Sequence, residues 1–185
     1  MKLFNNIKDY FGKRKIDKIL RDEKRRVRVT NFSSAKSIGI IYPVSTTDYQ
    51  DFVNKYIDYL RGEIGFKKIV ALGYCDTNEI PNFIINQSMK YQFFTLKDLD
   101  NTNFGKSKEV TDFLKEDFEI LVDLSRDFVT PIKHLVASSK SGLKIGRHSE
   151  ENEKFYDFMV EIDNKAPISQ FIEQVNTFLK QVNPK

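Results

Sequence analysis

Ser37-Ile38-Gly39-Ile40-Ile41-Tyr42-Pro43-Val44 is a near-continuous apolar run, and Lys67 to Cys75, carrying Ile69-Val70-Ala71-Leu72-Gly73-Tyr74, is a second. Runs of this kind are how strands covered on both faces read. Pro43 ends the first, because proline has no N–H to give a ladder. Between them, Asp48 to Ile64 places Tyr49, Phe52, Val53, Tyr56, Ile57, Leu60 and Ile64 on one helical face. Ser45, Thr46 and Thr47 are cap candidates, and Gly62 and Gly65 are stop signals. A strand, helix and strand in this order imply parallel pairing through a right-handed crossover.

The same alternation continues outward. Tyr91 to Thr95 reads as a short strand. Ser107 caps a helix through Leu114, and Phe118 to Leu124 is a third core strand. Pro131 opens a helix through Ser139. Leu143 to Ile145 is a short strand, and Phe155 to Ile162 alternates as an edge strand with Asp157 and Glu161 facing solvent. Pro167 opens a last amphipathic helix with Ile168, Phe171, Ile172, Val175, Phe178, Leu179 and Val182 on its face. The expectation is an α/β protein: a single three-layer Rossmann-like domain with a mostly parallel sheet of five or six strands, preceded by a basic amphipathic N-terminal helix. The division is a helical arm over 1–28 and an α/β domain over 29–185, with a first edge strand at the junction, where Arg26 to Phe32 alternates polar and apolar.

The 185 residues suit one compact domain. With 40% hydrophobic and 30% charged residues, neither wholesale disorder nor a membrane bundle fits. The one cysteine, Cys75, excludes a disulfide framework and a cysteine-based zinc site. No apolar run approaches the roughly 20 residues of a membrane-spanning helix. Asn5, Asn6, Lys8 and Asp9 interrupt any secretory core, so the cytoplasm is the expected location.

Charge is unevenly spread. Residues 1–28 hold eleven bases and four acids, a net +7, while the rest holds nineteen bases and twenty-two acids, a net −3. A basic arm on a mildly acidic body points to an anionic partner. Lys13, Arg14, Lys15, Lys18, Arg21, Lys24, Arg25, Arg26 and Arg28 are the candidate anion-binding residues. Leu3, Phe4, Ile7, Tyr10 and Phe11, then Ile16, Ile19 and Leu20 after Gly12, recur at helical spacing and describe one or two amphipathic helices. Three uses are open: packing on the body, docking on phosphates of RNA or the ribosome, and lying in an anionic membrane surface. The cluster Lys24-Arg25-Arg26 lies past the apolar stripe and favours the polyanion.

Doubly wound sheets bind ligands outside the carboxyl ends of their strands. The loops expected there bring Tyr42, Ser45, Thr46, Tyr74, Cys75, Asp76, Asp123, Ser125, Arg126, Asp127, Lys144, Gly146, Arg147 and His148. Tyr42, Ser45, Cys75, Asp123, Ser125, Lys144, Arg147 and His148 form the candidate strand-end pocket. No glycine-rich fingerprint follows the first strand, which disfavours NAD or ATP held in the usual way. Cys75 has no neighbouring base and reads as a core residue. His134 reads as a helix residue with an ordinary hydrogen bond, and Asp123 with Ser125 as a turn pair. No catalytic residue, cofactor or metal is implied. The expected role is a non-enzymatic binding or adaptor protein, with a small enzyme on a phosphorylated or sugar substrate as the alternative.

Phe118-Glu-Ile-Leu-Val-Asp-Leu-Ser125, Pro131-Ile-Lys-His-Leu-Val-Ala-Ser-Ser-Lys-Ser-Gly-Leu-Lys-Ile-Gly146 and Phe155-Tyr-Asp-Phe-Met-Val-Glu-Ile162 resemble an uncharacterised family of small Rossmann-like proteins from Bacteroidota. That resemblance implies a fold and no activity. Ile120-Leu-Val-Asp-Leu124 followed by Leu143-Lys-Ile-Gly146 is also similar to the acceptor half of heptosyltransferase-type glycosyltransferases. It covers about thirty residues. The Gly-Asp turn of that family is replaced by Tyr42-Pro43-Val44-Ser45, and 185 residues leave no room for its nucleotide-sugar domain. The likeness therefore implies a half-fold without catalysis.

Overall fold

The computed structural model describes residues 2–87, 91–163 and 165–183, with the side chains of residues 2–6, 86 and 87 outside that description. Six strands form one sheet in the order β3-β2-β1-β4-β5-β6: β1 (Ser37–Val44), β2 (Lys68–Cys75), β3 (Gln92–Thr95), β4 (Ile120–Asp123), β5 (Leu143–Arg147) and β6 (Phe158–Val160). Every adjacent pair is parallel. The chain builds outward from β1 to β3, returns to the other side of β1, and builds outward again. β1 therefore lies between β2 and β4, and five of its residues in succession are buried.

The pleat sorts its side chains by period two. Ile38, Ile40 and Tyr42 enter one core with α2 (Thr47–Tyr59) and α5 (Ile168–Gln181), which contribute Val53, Tyr56, Ile57, Phe171, Val175 and Leu179. Ile41 enters the other, with Leu72, Phe94, Leu121 and the apolar faces of α3 (Lys108–Lys115) and α4 (Thr130–Ser138). This is a Rossmann-like three-layer α/β sandwich. Caps fall where hydroxyls permit them: Thr46 accepts from Tyr49 N–H, and Ser107 from Val110 N–H. A short π-turn, Leu60–Ile64, ends α2's run, and Gly65 at φ 82° supplies the left-handed residue that stops it.

The N-terminal stripe forms one helix, α1 (Lys2–Asp22), which runs straight through Gly12. It lies on α4, so that eight of the nine residues of α4 are buried. Gly12 is required by the close approach. A Cβ there would stand 2.6 Å from the Thr102 carbonyl oxygen and 2.9 Å from Thr130 Cγ2.

Two expectations are corrected. No strand forms over 26–32. Val27 and Val29, the apolar members of the alternation, are exposed, and Arg28 N–H donates to Gly142 O while Phe32 N–H donates to Leu179 O. The segment straps the sheet to α5 instead of joining the sheet. Asp157 is at the surface, but its carboxylate turns inward, accepting from Lys144 N–H at 2.7 Å and from Arg25 at 2.6 Å. That turn-back confines the last strand to Phe158–Val160.

Candidate functional site

From Asp9 onward the arm is fixed to the body at several points. Ile16 is buried against α4. Asn103 Nδ2 donates to Asp9 at 2.6 Å, Lys154 pairs with Asp17 at 2.6 Å, and Lys15 sits 3.9 Å over the Phe104 ring. Beyond α1, Arg25 donates to the carbonyls of Ser141 and Gly142 at 2.9 Å and pairs with Asp157. Glu23 faces the ammonium of Lys144 at 3.4 Å. Lys144 is only 1% exposed, and burial lowers its pKa to about 8, with Arg25 adding to the fall and Glu23 and Asp157 opposing it.

The nine arm cations therefore divide. Arg25 is spent on the scaffold. Lys13 with Glu151 and Arg28 with Asp117 make solvent-exposed pairs, each worth roughly 0–1 kcal/mol, and Lys15 pairs at 3.6 Å with the half-buried Asp100. Arg14 lies over the Tyr10 ring at 5.6 Å. Lys18, Arg21, Lys24 and Arg26 are exposed and have no ion-pair partner among the described residues. Arg21 and Arg14 border a shallow hollow beside Lys154. Lys18, Lys24 and Arg26 instead join Lys15, Arg25, Arg28 and Lys140 around a groove of about 910 Å³, against the acids Asp22, Glu23 and Asp117. Lys140 is exposed and unpartnered in the same sense. The groove lies at the amino edge of the sheet, beside the residues that precede β4 and β5. The C-terminal ends of α1 and α4 lie there, and a helix C-terminus favours cations.

The eight strand-end candidates do not share a cleft. Tyr42 is buried under α2, its hydroxyl accepting from Gln50 Nε2 at 3.2 Å, and burial raises its pKa. Cys75 is fully buried, and burial pushes its thiol up to about 12, away from nucleophilic use. Arg147 is buried, donates to Asp163 O at 3.3 Å and lies over Phe171. His148 stands at the surface, 3.9 Å from Glu153. Lys144 faces Glu23 instead of the carboxyl edge. Asp123 and Ser125 belong to a closed network: Ser125 donates both its N–H and its hydroxyl to Asp123 Oδ1, while Lys133 at 2.9 Å and Tyr156 donate to Oδ2. Lys133 and Tyr156 also bond to each other. Burial alone would raise the Asp123 pKa. The Lys133 charge and the hydrogen bonds outweigh it and hold the carboxyl below its ordinary range. Ser45 alone of the eight lines the open crevice at the carboxyl edge.

That crevice, about 830 Å³, opens between the ends of β1 and β2 and the first turn of α4. Tyr74, Asp76, Asn78, Phe128 and Thr130 line it, and Lys8 and Asp9 of α1 wall it. Sequence reasoning missed Lys133, Tyr156 and Glu23. Lys133 had a signal: it is a lone charge in Pro131-Ile-Lys-His-Leu-Val-Ala137, a helix apolar on most sides, which demands a buried partner. His134 differs from expectation. Its ring stacks on Phe104 at 3.4 Å, its Nδ1 has no partner among the described residues, and burial, aided by Lys15, lowers its pKa to about 3. Among the described residues, no three His, Cys, Asp or Glu gather as a metal-ligand set, and no helix is long and apolar enough to cross a membrane.

The sheet order, the helix laid across it and the two openings at opposite edges define a Rossmann-like α/β domain with a basic helical arm built into the same body. The chain belongs to a family of unknown function (DUF6913), whose model matches residues 8–182 and so spans the described side chains of the arm as well as the sheet. No curated protein matches it.

Proposed function

We propose that the protein is a non-enzymatic binding or adaptor module of the cytoplasm that docks on a phosphate-rich polyanion, RNA or the ribosome, through the amino-edge groove. One observation carries this reading: Lys18, Lys24, Arg26 and Lys140, exposed and without ion-pair partners among the described residues, line one groove on a fixed scaffold. Phosphate binding needs positive charge already in place, and a rigid helix supplies it at little ordering cost.

If those four cations each neutralise a phosphate, log K falls with log salt at a slope of about −2.8 for single strands and −3.6 for duplex. Affinity then drops about 50–150-fold between 50 and 200 mM salt. The test is fluorescence anisotropy with single- and double-stranded RNA, beside co-sedimentation with ribosomes, at those two salt concentrations. A variant with all four changed to Ser is expected to lose binding. A variant with Lys55, Lys67, Lys106 and Lys165 changed to Ser controls for net charge. Equal loss in both variants, or a slope near zero, overturns the proposal.

A second reading has its own observation. Ile7, Tyr10 and Phe11 are each about half exposed, at 47%, 56% and 52%, on the outward face that continues into Arg14, Lys18 and Arg21. Such a face suits an anionic membrane surface at the inner membrane. The side chains of Leu3 and Phe4, which this reading also invokes, lie outside the described residues. Flotation with anionic vesicles that Phe11→Ala abolishes, while RNA binding is absent, would replace the first reading with this one. The small-enzyme reading needs Asp123, Ser125, Lys144, Arg147 and His148 in one cleft, whereas Asp123 and Ser125 share a closed buried network and Lys144, Arg147 and His148 lie apart from it. A glycosyltransferase-like half-domain meets the same difficulty.

A further inference from the structure

We infer that the carboxyl-edge crevice binds a small molecule that carries a vicinal diol and no phosphate, of the nucleoside class. The sheet order reverses on either side of β1, and the loops leaving β1 and β4 therefore diverge. A crevice outside the carboxyl ends of these strands is where an open α/β sheet takes its ligand. Its volume of about 830 Å³ falls within the range of small-molecule sites.

The polar groups set the ligand's chemistry. Asp76 directly follows β2, the position from which an acidic side chain of a doubly wound sheet reaches ribose hydroxyls. Its Oδ1 accepts from the Tyr74 hydroxyl at 3.0 Å, and its Oδ2 has no partner among the described residues. One oxygen is thereby anchored and the other left to accept a hydroxyl. Ser45 and Asn78 line the same space and also have no hydrogen-bond partner among the described residues. Val44, Leu99 and Phe128 supply an apolar wall for a flat ring.

Phosphate is disfavoured by four features. The turn Pro43-Val44-Ser45-Thr46 has no glycine to let backbone N–H groups close on an anion. The Thr46 hydroxyl is already engaged as the cap of α2, and Asp48 occupies that helix's first turn. Pro131 removes an N–H from the first turn of α4. Around the crevice, Asp9 and Asp76 outnumber Lys8.

The experiment is calorimetric titration of the full chain with adenosine, guanosine, cytidine and uridine, each beside its 2′-deoxy form and its 5′-monophosphate. At least one ribonucleoside is expected to bind. Its deoxy form should bind about tenfold or more weakly, since a hydrogen bond to a charged acceptor is lost. The monophosphate should bind no tighter. Asp76→Asn should weaken the ribonucleoside about tenfold without lowering the melting temperature, because Asp76 is exposed. Ser45→Tyr, which fills the crevice, should abolish binding. Binding should also survive both high salt and the four-serine groove variant, which separates this inference from polyanion docking. No binding by any of the four, equal binding of a deoxy form, tighter binding of a monophosphate, or an unaffected Asp76→Asn overturns it.

Discussion

Asp123→Ala removes the acceptor at the centre of the network that joins the end of β4 to α4 and to Tyr156. Asp123 and Lys133 are each 1% exposed and 2.9 Å apart, so neither charge has water to fall back on. Deleting one partner of such a pair costs about 3–5 kcal/mol, because the other charge stays buried and uncompensated. A domain is typically held by about 5–15 kcal/mol, so the variant should lose a large fraction of its stability. For a chain of this length the melting temperature should fall by roughly 6–20 °C. Urea denaturation followed by far-ultraviolet circular dichroism measures the loss. Asp123→Leu combined with Lys133→Met should lose less than the sum of the two single variants, since an apolar pair leaves no orphaned charge. A single-variant loss under about 1 kcal/mol, or strict additivity in the cycle, would refute the reasoning.

Gly12→Ala places a methyl against the Thr102 carbonyl and Thr130, and overpacking of this kind costs about 1–3 kcal/mol. Faster amide hydrogen exchange in α1 than in the sheet would show it. Lys144, lowered to about 8 in the fold, binds fewer protons there than in the unfolded chain between about pH 8 and pH 10.5. Stability should therefore rise with pH across that window, by up to about 3 kcal/mol, and the rise should vanish in Lys144→Met. His134, lowered to about 3, stays neutral in the fold, so stability should fall as pH drops below about 6.5, and less so in His134→Phe. Cys75 should resist a thiol reagent at pH 8 in the native state and react fully in denaturant, as a colorimetric titration would record.

Much of the fold was legible because β1, β2 and β4 are covered on both faces, and such strands must be apolar throughout. The amphipathic spacing of α2 and α5 was equally direct, since each buries one stripe against the sheet. The segment 26–32 misled because alternation records only period two. Where a chain straps across an edge, Val27 and Val29 can alternate with no sheet beneath them. The site was less legible. Lys144 and Asp123 sit on strands that a pattern can place, but Lys144 faces Glu23 from a distant part of the chain, and Asp123 faces Lys133 only through the way the next helix packs back on the strand. The basic groove was half visible: the arm's charge was plain, yet Lys140 joins it only through the packing of α1 on α4. The crevice was located by topology, whereas its walls at Lys8 and Asp9 came from a helix read as an appendage.

The seating of α1 also fixes an order of events during synthesis. Its residues leave the ribosome before α4 and before the Ser141 and Gly142 carbonyls that hold Arg25 beyond its end, which follow more than a hundred residues later. At about 5–20 residues per second, the helix waits several seconds for its seat. Throughout that interval Ile16, buried in the finished protein, lacks the α4 face that it packs against. Any truncation that ends before residue 130 should leave the basic helix permanently undocked.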